Sequence, residues 1–306
     1  MKQALIDIGS NSIRLSVYEI IDRSSFRILF KEKIMAGLAG YVDEGFLIHD
    51  GIACAISALK EFQKTLNVLQ IDDLSVFATA SLRNITNTEE AIEEIRQETG
   101  ISIDVISGQK EAMLGYAGAI RDIPMDNGIC IDIGGASTEL VVFSDGSVSE
   151  ADSLPFGSLK LYRDCVSKII PGEKSLKRIH KMIRNTMASH TIRECHVGGV
   201  MLCTGGTARA CRNLISKLYP TQGKSNTFTI EQLDHLYDIL CEHSQRTIEL
   251  ILKNEPSRIH TIVPGICILH DLMHAYQMEE AYVSTYGVRE GYLLDMMKQE
   301  TASSAA

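Results

Sequence analysis

Gly128-Ile-Cys-Ile-Asp132-Ile-Gly134-Gly-Ala-Ser-Thr-Glu139-Leu-Val-Val-Phe143 is the stretch that decides how this chain folds. An apolar run ends in Asp132, a tight small-residue turn follows, and a second apolar run leaves it. Short apolar runs bounded by glycine read as buried strands. The same pattern stands at the N-terminus, in Ala4-Leu-Ile-Asp7-Ile-Gly9-Ser-Asn-Ser12-Ile-Arg14-Leu15. The offset is 132 − 7 = 125 residues, so Asp7 aligns with Asp132, Gly9 with Gly134, Ser12 with Ser137 and Leu15 with Leu140. Arg14 and Glu139 fall at equivalent places, one a cation and the other a carboxylate. A repeat of this kind points to a duplicated α/β lobe, each copy opening on a strand–turn–strand hairpin.

Outward from these hairpins the pattern predicts strands at 13–21 and 26–35, then a helix over 50–69 with apolar residues at helical spacing. Strands at 74–79 and 103–106 flank a helix through the acidic run 89–98, and another helix runs from about 109 to 121. Asp122-Ile-Pro-Met-Asp-Asn-Gly128 is the expected boundary, giving domains at 1–124 and 125–306. The second is richer in helices. There Val200-Met-Leu-Cys203 leads into Thr204-Gly-Gly-Thr207 and a helix, and Ala281-Tyr-Val-Ser284 leads into a last helix that can pack back on the first lobe. The tail Thr301–Ala306 is expected to be disordered.

A length of 306 residues with 45% hydrophobic content supports a sizeable core, and a net charge of −9 argues against broad nucleic-acid or anionic-membrane binding. Met1-Lys-Gln leads straight into a strand with no leader pattern, and no apolar run is long enough to span a bilayer. The eight cysteines include no C-x-x-C pair and read as reduced core thiols. A cytoplasmic location is expected.

Phosphate requires several donors on a concave surface, and glycine lets backbone N–H groups approach it. Gly9–Ser12 and Gly134–Thr138 have that composition, and Thr204-Gly-Gly-Thr207 opens a helix whose N-terminus suits an anion. Asp7 and Asp132 end their strands; each either holds Mg²⁺ or caps its own turn, the cap being preferred for Asp7. Lys174, Lys177, Arg178, Lys181 and Arg184 share one face of a predicted helix, with Leu176, Ile179, Met182, Ile183 and Met187 on the other. That basic stripe either guides a long phosphate chain or is a solvated face, the latter preferred. His270 and His274, four apart, can meet a metal. No His-Glu-x-x-His pattern is present, which excludes a zinc protease, and a structural role is preferred. Cys195-His196 is a weak candidate of the same kind.

In this order the pieces resemble the exopolyphosphatase and guanosine-pentaphosphate phosphohydrolase family (Ppx/GppA phosphatases) of the actin-like ATPase superfamily. The matching residues include Asp7-Ile-Gly-Ser-Asn-Ser-Ile-Arg14, Ala78-Thr-Ala-Ser-Leu-Arg83, Ile106-Ser-Gly108-Gln-Lys-Glu111 and Asp132-Ile-Gly-Gly-Ala-Ser-Thr-Glu139. Pro155-Phe-Gly157-Ser, Thr204-Gly-Gly-Thr207 and Ser284-Thr-Tyr-Gly-Val-Arg289-Glu-Gly continue the match. The resemblance implies two ribonuclease-H-like lobes around a central cleft, and hydrolysis of a terminal phosphate from inorganic polyphosphate with Mg²⁺. It implies Glu111 as the base that activates water, with Glu139 placing that water or, with Asp132, the metal. Phosphate contacts are expected from Ser10, Asn11, Ser12, Arg14, Arg83, Gly134, Gly135, Ala136, Ser137, Thr138, Gly205, Gly206 and Thr207. Without the resemblance, Glu111 reads as a first-turn glutamate complementing the helix dipole.

Ala136 stands where many members carry glycine, and Gln109-Lys110 precede Glu111 where acidic residues are frequent. Long members carry a C-terminal helical extension for which 306 residues leave no room, so a short polyphosphate or a nucleotide is expected over long polymers. Guanosine pentaphosphate is the alternative substrate. A sugar or acyl kinase of the superfamily and an actin-like filament protein are weaker readings. A homodimer is possible.

Overall fold

The computed structural model describes residues 1–190, 199–220, 225–242 and 244–304. The chain divides into two compact units, Met1–Glu111 together with Tyr292–Ala306, and Ala112–Gly291.

In the first unit, β1 (Lys2–Ile8), β2 (Ile13–Ile20) and β3 (Phe26–Ile34) form an antiparallel meander. A small hairpin of β4 (Val42–Asp43) and β5 (Phe46–Leu47) precedes α1 (His49–Leu69), after which β6 (Leu74–Ala78) joins parallel to β1. The short α2 (Ala80–Arg83) and α3 (Thr88–Thr99) lead to β7 (Asp104–Val105), parallel to β6. The order is β3-β2-β1-β6-β7. Ala4, Leu5, Ile6 and Ile8 of β1 are fully buried, so helices cover both faces of this strand and its apolar run does not alternate. On one face Ile52, Ala55, Leu59, Phe62 and Leu66 of α1, spaced three and four apart, join the core. On the other, Leu5 and Tyr18 pack with Leu293 and Met297 near the chain's end.

The second unit repeats this plan. α4 (Gly108–Asp122) is followed by β8 (Gly128–Ile133), β9 (Thr138–Ser144) and β10 (Ser147–Leu154), again antiparallel. Then come α5 (Ser158–Cys165), α6 (Glu173–Ser189), β11 (Val200–Thr204) and α7 (Gly205–Leu218). The chain finishes with β12 (Thr227–Thr229), α8 (Ile230–Cys241), α9 (Gln245–Asn254), α10 (Ile262–Ala275), β13 (Glu280–Val283) and α11 (Val288–Ser304). The order β10-β9-β8-β11-β13, with β8, β11 and β13 parallel, matches the first sheet; β12 adds an antiparallel edge. Both units thus have the three-antiparallel-plus-two-parallel sheet expected of duplicated ribonuclease-H-like lobes. α10 is apolar nearly all round because it is the central helix of this core, buried from Ile262 to Leu269.

The division between units falls inside α4 rather than at 124/125. Ala112, Tyr116 and Ala119 cluster with Cys130, Val141, Phe143 and Leu202 of the second sheet, which draws the helix to that unit one turn after Gly108. The tail also differs from expectation: α11 continues to Ser304, while residues 305–306 lie outside the described residues. β10 lacks an apolar signature because it is an edge strand whose side chains are largely solvated. The seven described cysteines are free thiols, and Cys195 and His196 lie outside the described residues. No described helix is long and apolar enough to cross a membrane.

Candidate active site

The two hairpin turns are closed by the same backbone bond. Gly9 N–H donates to Ser12 O at 3.1 Å, and Gly134 N–H donates to Ser137 O at 3.0 Å. Each turn is also gripped by its carbonyls. Ser10 O and Asn11 O accept from Ala39 N and Gly37 N, while Gly134 O accepts from Ser158 N and Gly135 O from Leu159 N and Lys160 N. A trans peptide carries its N–H opposite its C=O. The N–H groups of Asn11 and Ser12 therefore point away from the 37–39 segment, and those of Gly135 and Ala136 away from α5. Two successive N–H groups aimed to one side make an anion-binding concavity in each turn. Gly157 is required for this grip, because a Cβ there would lie 2.6 Å from the carbonyl oxygen of Gly134.

Each unit also ties its first strand to the helix after its fourth. Ser81 Oγ donates to Ile8 O, and Thr207 Oγ1 donates to Ile133 O at 3.1 Å. Thr207 is among the residues expected on phosphate; in the structure its hydroxyl is engaged internally. Thr138 is likewise fully buried with its Oγ1 on Phe156 O at 2.8 Å, so its side chain anchors the loop before α5.

Glu111 sits in the first turn of α4, 8% exposed, with Oε2 2.7 Å from Arg83 Nη1. The same Nη1 donates to Ile106 O at 3.1 Å. Arg83 was expected on phosphate, and in the structure it grips the carboxylate of Glu111. The backbone explains why the two meet: α2 and α4 both start from the C-terminal ends of neighbouring parallel strands, β6 and β7.

The cross-strand pairs of the two hairpins differ. Asp7 faces Arg14, with 3.9 Å between Oδ2 and Nη1, and Arg14 Nε also donates to Ser12 Oγ at 3.0 Å. Asp132 faces Glu139 in the same register. Directly opposed residues project from the same sheet face, so two carboxylates share one side of β8 and β9. Glu139 is 3% exposed and accepts from Ser153 Oγ at 2.8 Å. Asp132 lies against Gly205, whose φ of 81° and lack of a Cβ let α7 begin beside the carboxylate; a Cβ there would collide with Asp132 Oδ1. This set of hard oxygen donors suits Mg²⁺. Ser10, Ser12 and Ser137 are buried, and Asn11 is partly so.

Arg258 is a further cation that the sequence did not reveal. It ends a short 3₁₀ turn, Pro256–Arg258, and its guanidinium lies so close to Gly206 that a Cβ there would collide with it. Glu255 supports it, 3.8 Å from Arg258 Nε and bonded to Asn213 Nδ2 at 2.7 Å. A cation beside the positive end of α7 makes this corner still more attractive to an anion. No local pattern marks Arg258, because only the tertiary packing brings it to residues 205–207. The basic residues of α6 are all exposed, and Lys177 is paired with Glu173 at 2.6 Å, which is a solvated helix face.

The sequence model of the Ppx/GppA phosphatase family matches residues 16–300. A putative exopolyphosphatase of Haemophilus influenzae is 26% identical over 298 residues, covering 96% of this chain and 91% of that one. A guanosine-5'-triphosphate,3'-diphosphate pyrophosphatase of Aeromonas salmonicida is 30% identical over 307 residues, and the chain spans 59% of its length. The crystal structure of the Aquifex aeolicus Ppx/GppA family member superimposes with a TM-score of 0.79 at 26% identity, covering 98% of both chains.

Proposed function

The chain belongs to the Ppx/GppA phosphatase family, hydrolases of phosphoanhydride bonds, and from that premise we propose that it is an exopolyphosphatase that releases terminal phosphate from inorganic polyphosphate. The observation that carries this reading is the pair of backbone concavities, each aiming two successive N–H groups outward from a carbonyl-anchored turn. Such donors bind phosphate oxygens without regard to what the phosphate is attached to. That suits a substrate made of phosphate alone. A relative that this chain matches along 91% of that relative's length carries the name putative exopolyphosphatase, which supports the same choice.

In this reading Asn11 and Ser12 of the first unit receive phosphate oxygens through their backbones with Arg14 adding charge, and Gly135 and Ala136 of the second do so with Arg258. Glu111, oriented by Arg83, accepts a proton from the attacking water; positioning and charge neutralisation do most of the work in such a transfer. Asp132 and Glu139 would hold Mg²⁺, which when bound supplies charge neutralisation on the phosphate oxygens. The enzyme is proposed to work in the cytoplasm.

Hydrolysis of guanosine pentaphosphate is the second reading, favoured by the 30% identity to the Aeromonas salmonicida pyrophosphatase. Phosphate release measured side by side from polyphosphates of graded length and from guanosine pentaphosphate, with Mg²⁺, separates the two. A higher kcat/KM on polyphosphate is expected. A preference for the nucleotide would replace the first reading by the second.

A further inference from the structure

Two histidines and an aspartate meet at the surface of the second unit, well apart in sequence from the hairpins and turns assigned to phosphate. His270 and His274 stand one turn apart on α10, and Asp234 faces them from α8. Asp234 Oδ1 lies 3.2 Å from His270 Nε2 and 2.8 Å from His274 Nε2. One ligand atom from each of the three residues falls within 4.8 Å of the others. Residues four apart on a helix present one face, which is the spacing that lets two imidazoles share an ion.

The surroundings hold these rings in place. Asp271 Oδ1 is 3.5 Å from His270 Nδ1, so a carboxylate stands at the ring nitrogen opposite the one facing Asp234. A metal-binding histidine commonly has such a partner, which selects the tautomer and orients the ring. Tyr237, one turn beyond Asp234 on α8, stacks on His270 with centroids 4.2 Å apart and planes 20° apart. Its hydroxyl meets His180 Nε2 at 2.8 Å, and His180 Nδ1 meets Asp271 at 2.8 Å. Three helices, α6, α8 and α10, thus contribute to one polar network that fixes His270. By contrast His274 and Asp234 are about half-exposed, leaving the outer side of the cluster open to solvent.

We propose that Asp234, His270 and His274 form a site for a borderline divalent cation of the Zn²⁺ class, with its remaining coordination completed by water. Imidazole nitrogens with one carboxylate suit Zn²⁺, Co²⁺ or Ni²⁺ better than Mg²⁺, which prefers an all-oxygen, octahedral shell. The distances are compatible: tetrahedral bonds of about 2.0–2.1 Å separate neighbouring ligand atoms by about 3.3 Å, so the Asp234 oxygen need part from each imidazole nitrogen by only a few tenths of an ångström. The ion would bridge α8 to α10, the central helix of the unit. The third residue, Asp234, lies 36 residues upstream of His270, so the sequence pattern of the two histidines does not show it.

The test uses the full chain, stripped with a chelator and titrated with Zn²⁺ by calorimetry in excess Mg²⁺, and with Co²⁺ by absorption. The wild type is expected to take up a single equivalent with a Co²⁺ spectrum of low coordination number. His274→Ala and the near-isosteric Asp234→Asn are expected to weaken binding at least ~10-fold, the scale on which even an outer partner matters. Both variants should keep the wild-type rate of phosphate release with Mg²⁺, which separates this site from Asp132 and Glu139. Binding of equal strength in wild type and both variants, or no binding by the wild type, overturns the proposal.

Discussion

The hairpin of the first unit and the hairpin of the second share a closing bond, a register and a carbonyl grip, yet they oppose different charges. Across from Asp7 stands Arg14; across from Asp132 stands Glu139. In the first, the carboxylate is balanced within the protein at 3.9 Å. In the second, the facing pair is two carboxylates, and like charges directly opposed in a sheet repel each other. In the proposed reading the same backbone turn serves phosphate twice, and one position in each copy, Arg14 or Glu139, separates holding an anion from holding a metal.

The comparison breaks most visibly if the base lies elsewhere. Glu111→Gln is expected to lower kcat for phosphate release by ~10²-fold or more, because a positioned general base contributes ~10²–10⁴-fold. Near-normal turnover would assign the proton to another group. Next in size, Glu139→Gln should raise the Mg²⁺ concentration for half-maximal rate by about 10-fold or more. Arg14→Gln should raise KM while leaving that Mg²⁺ requirement alone. Equal Mg²⁺ dependence in both variants would erase the asymmetry drawn between the hairpins.

A sharper and smaller test concerns what the copies share. Ser81→Ala and Thr207→Val each remove the hydroxyl tie from helix to first strand, and each should destabilise its unit by about 1 kcal/mol in denaturant titration. Thr207→Ser keeps the hydroxyl and should retain most of that stability. If Thr207→Val instead raised KM without loss of stability, the hydroxyl would belong to the substrate after all. The smallest effect is one of pH. Burial opposes the ionised form of Asp122, but hydrogen bonds from the Thr285 N–H and the Ser284 and Thr285 hydroxyls outweigh it and hold the carboxyl below its ordinary range. A lowered folded-state pKa adds stability above the ordinary Asp value, about 3.9, and that stability is lost as pH falls through the lowered value. Melting temperature should therefore fall less steeply below about pH 4 in Asp122→Asn than in the wild type.

Much of this was legible in the chain itself, for a physical reason. Asp7-x-Gly9 and Asp132-x-Gly134 are local signals: strand, turn and strand lie within a dozen residues, so their spacing survives as text. α1 announces itself through apolar residues at helical spacing, and helices through 89–98 and 109–121 are legible too, whereas the four-residue α2 is not. What sequence could not show are meetings set by packing. Arg83 reaches Glu111 from 28 residues away, Arg258 reaches Gly206 from 52, and Ser158 caps a turn 24 residues upstream. Thr138 and Thr207 look like phosphate ligands because hydroxyls beside glycines usually are available; only burial reveals that theirs are already engaged. The boundary inside α4 was hidden for a related reason, since helical periodicity says which face is apolar and not which sheet it will cover.

The carbonyl grip on the Gly134–Ser137 bend has one further implication, for how such a site endures. Its donors are amides of the main chain, held in direction by α5, so the identity of the side chains along the bend matters little to them. Ala136 in place of a third glycine is an instance. A scan that replaces side chains one by one through the bend would pass over it almost silently, whereas proline at 136, which deletes the amide hydrogen, would silence the enzyme. Recognition written in the backbone is hard to lose by ordinary drift, and hard to find by ordinary mutagenesis.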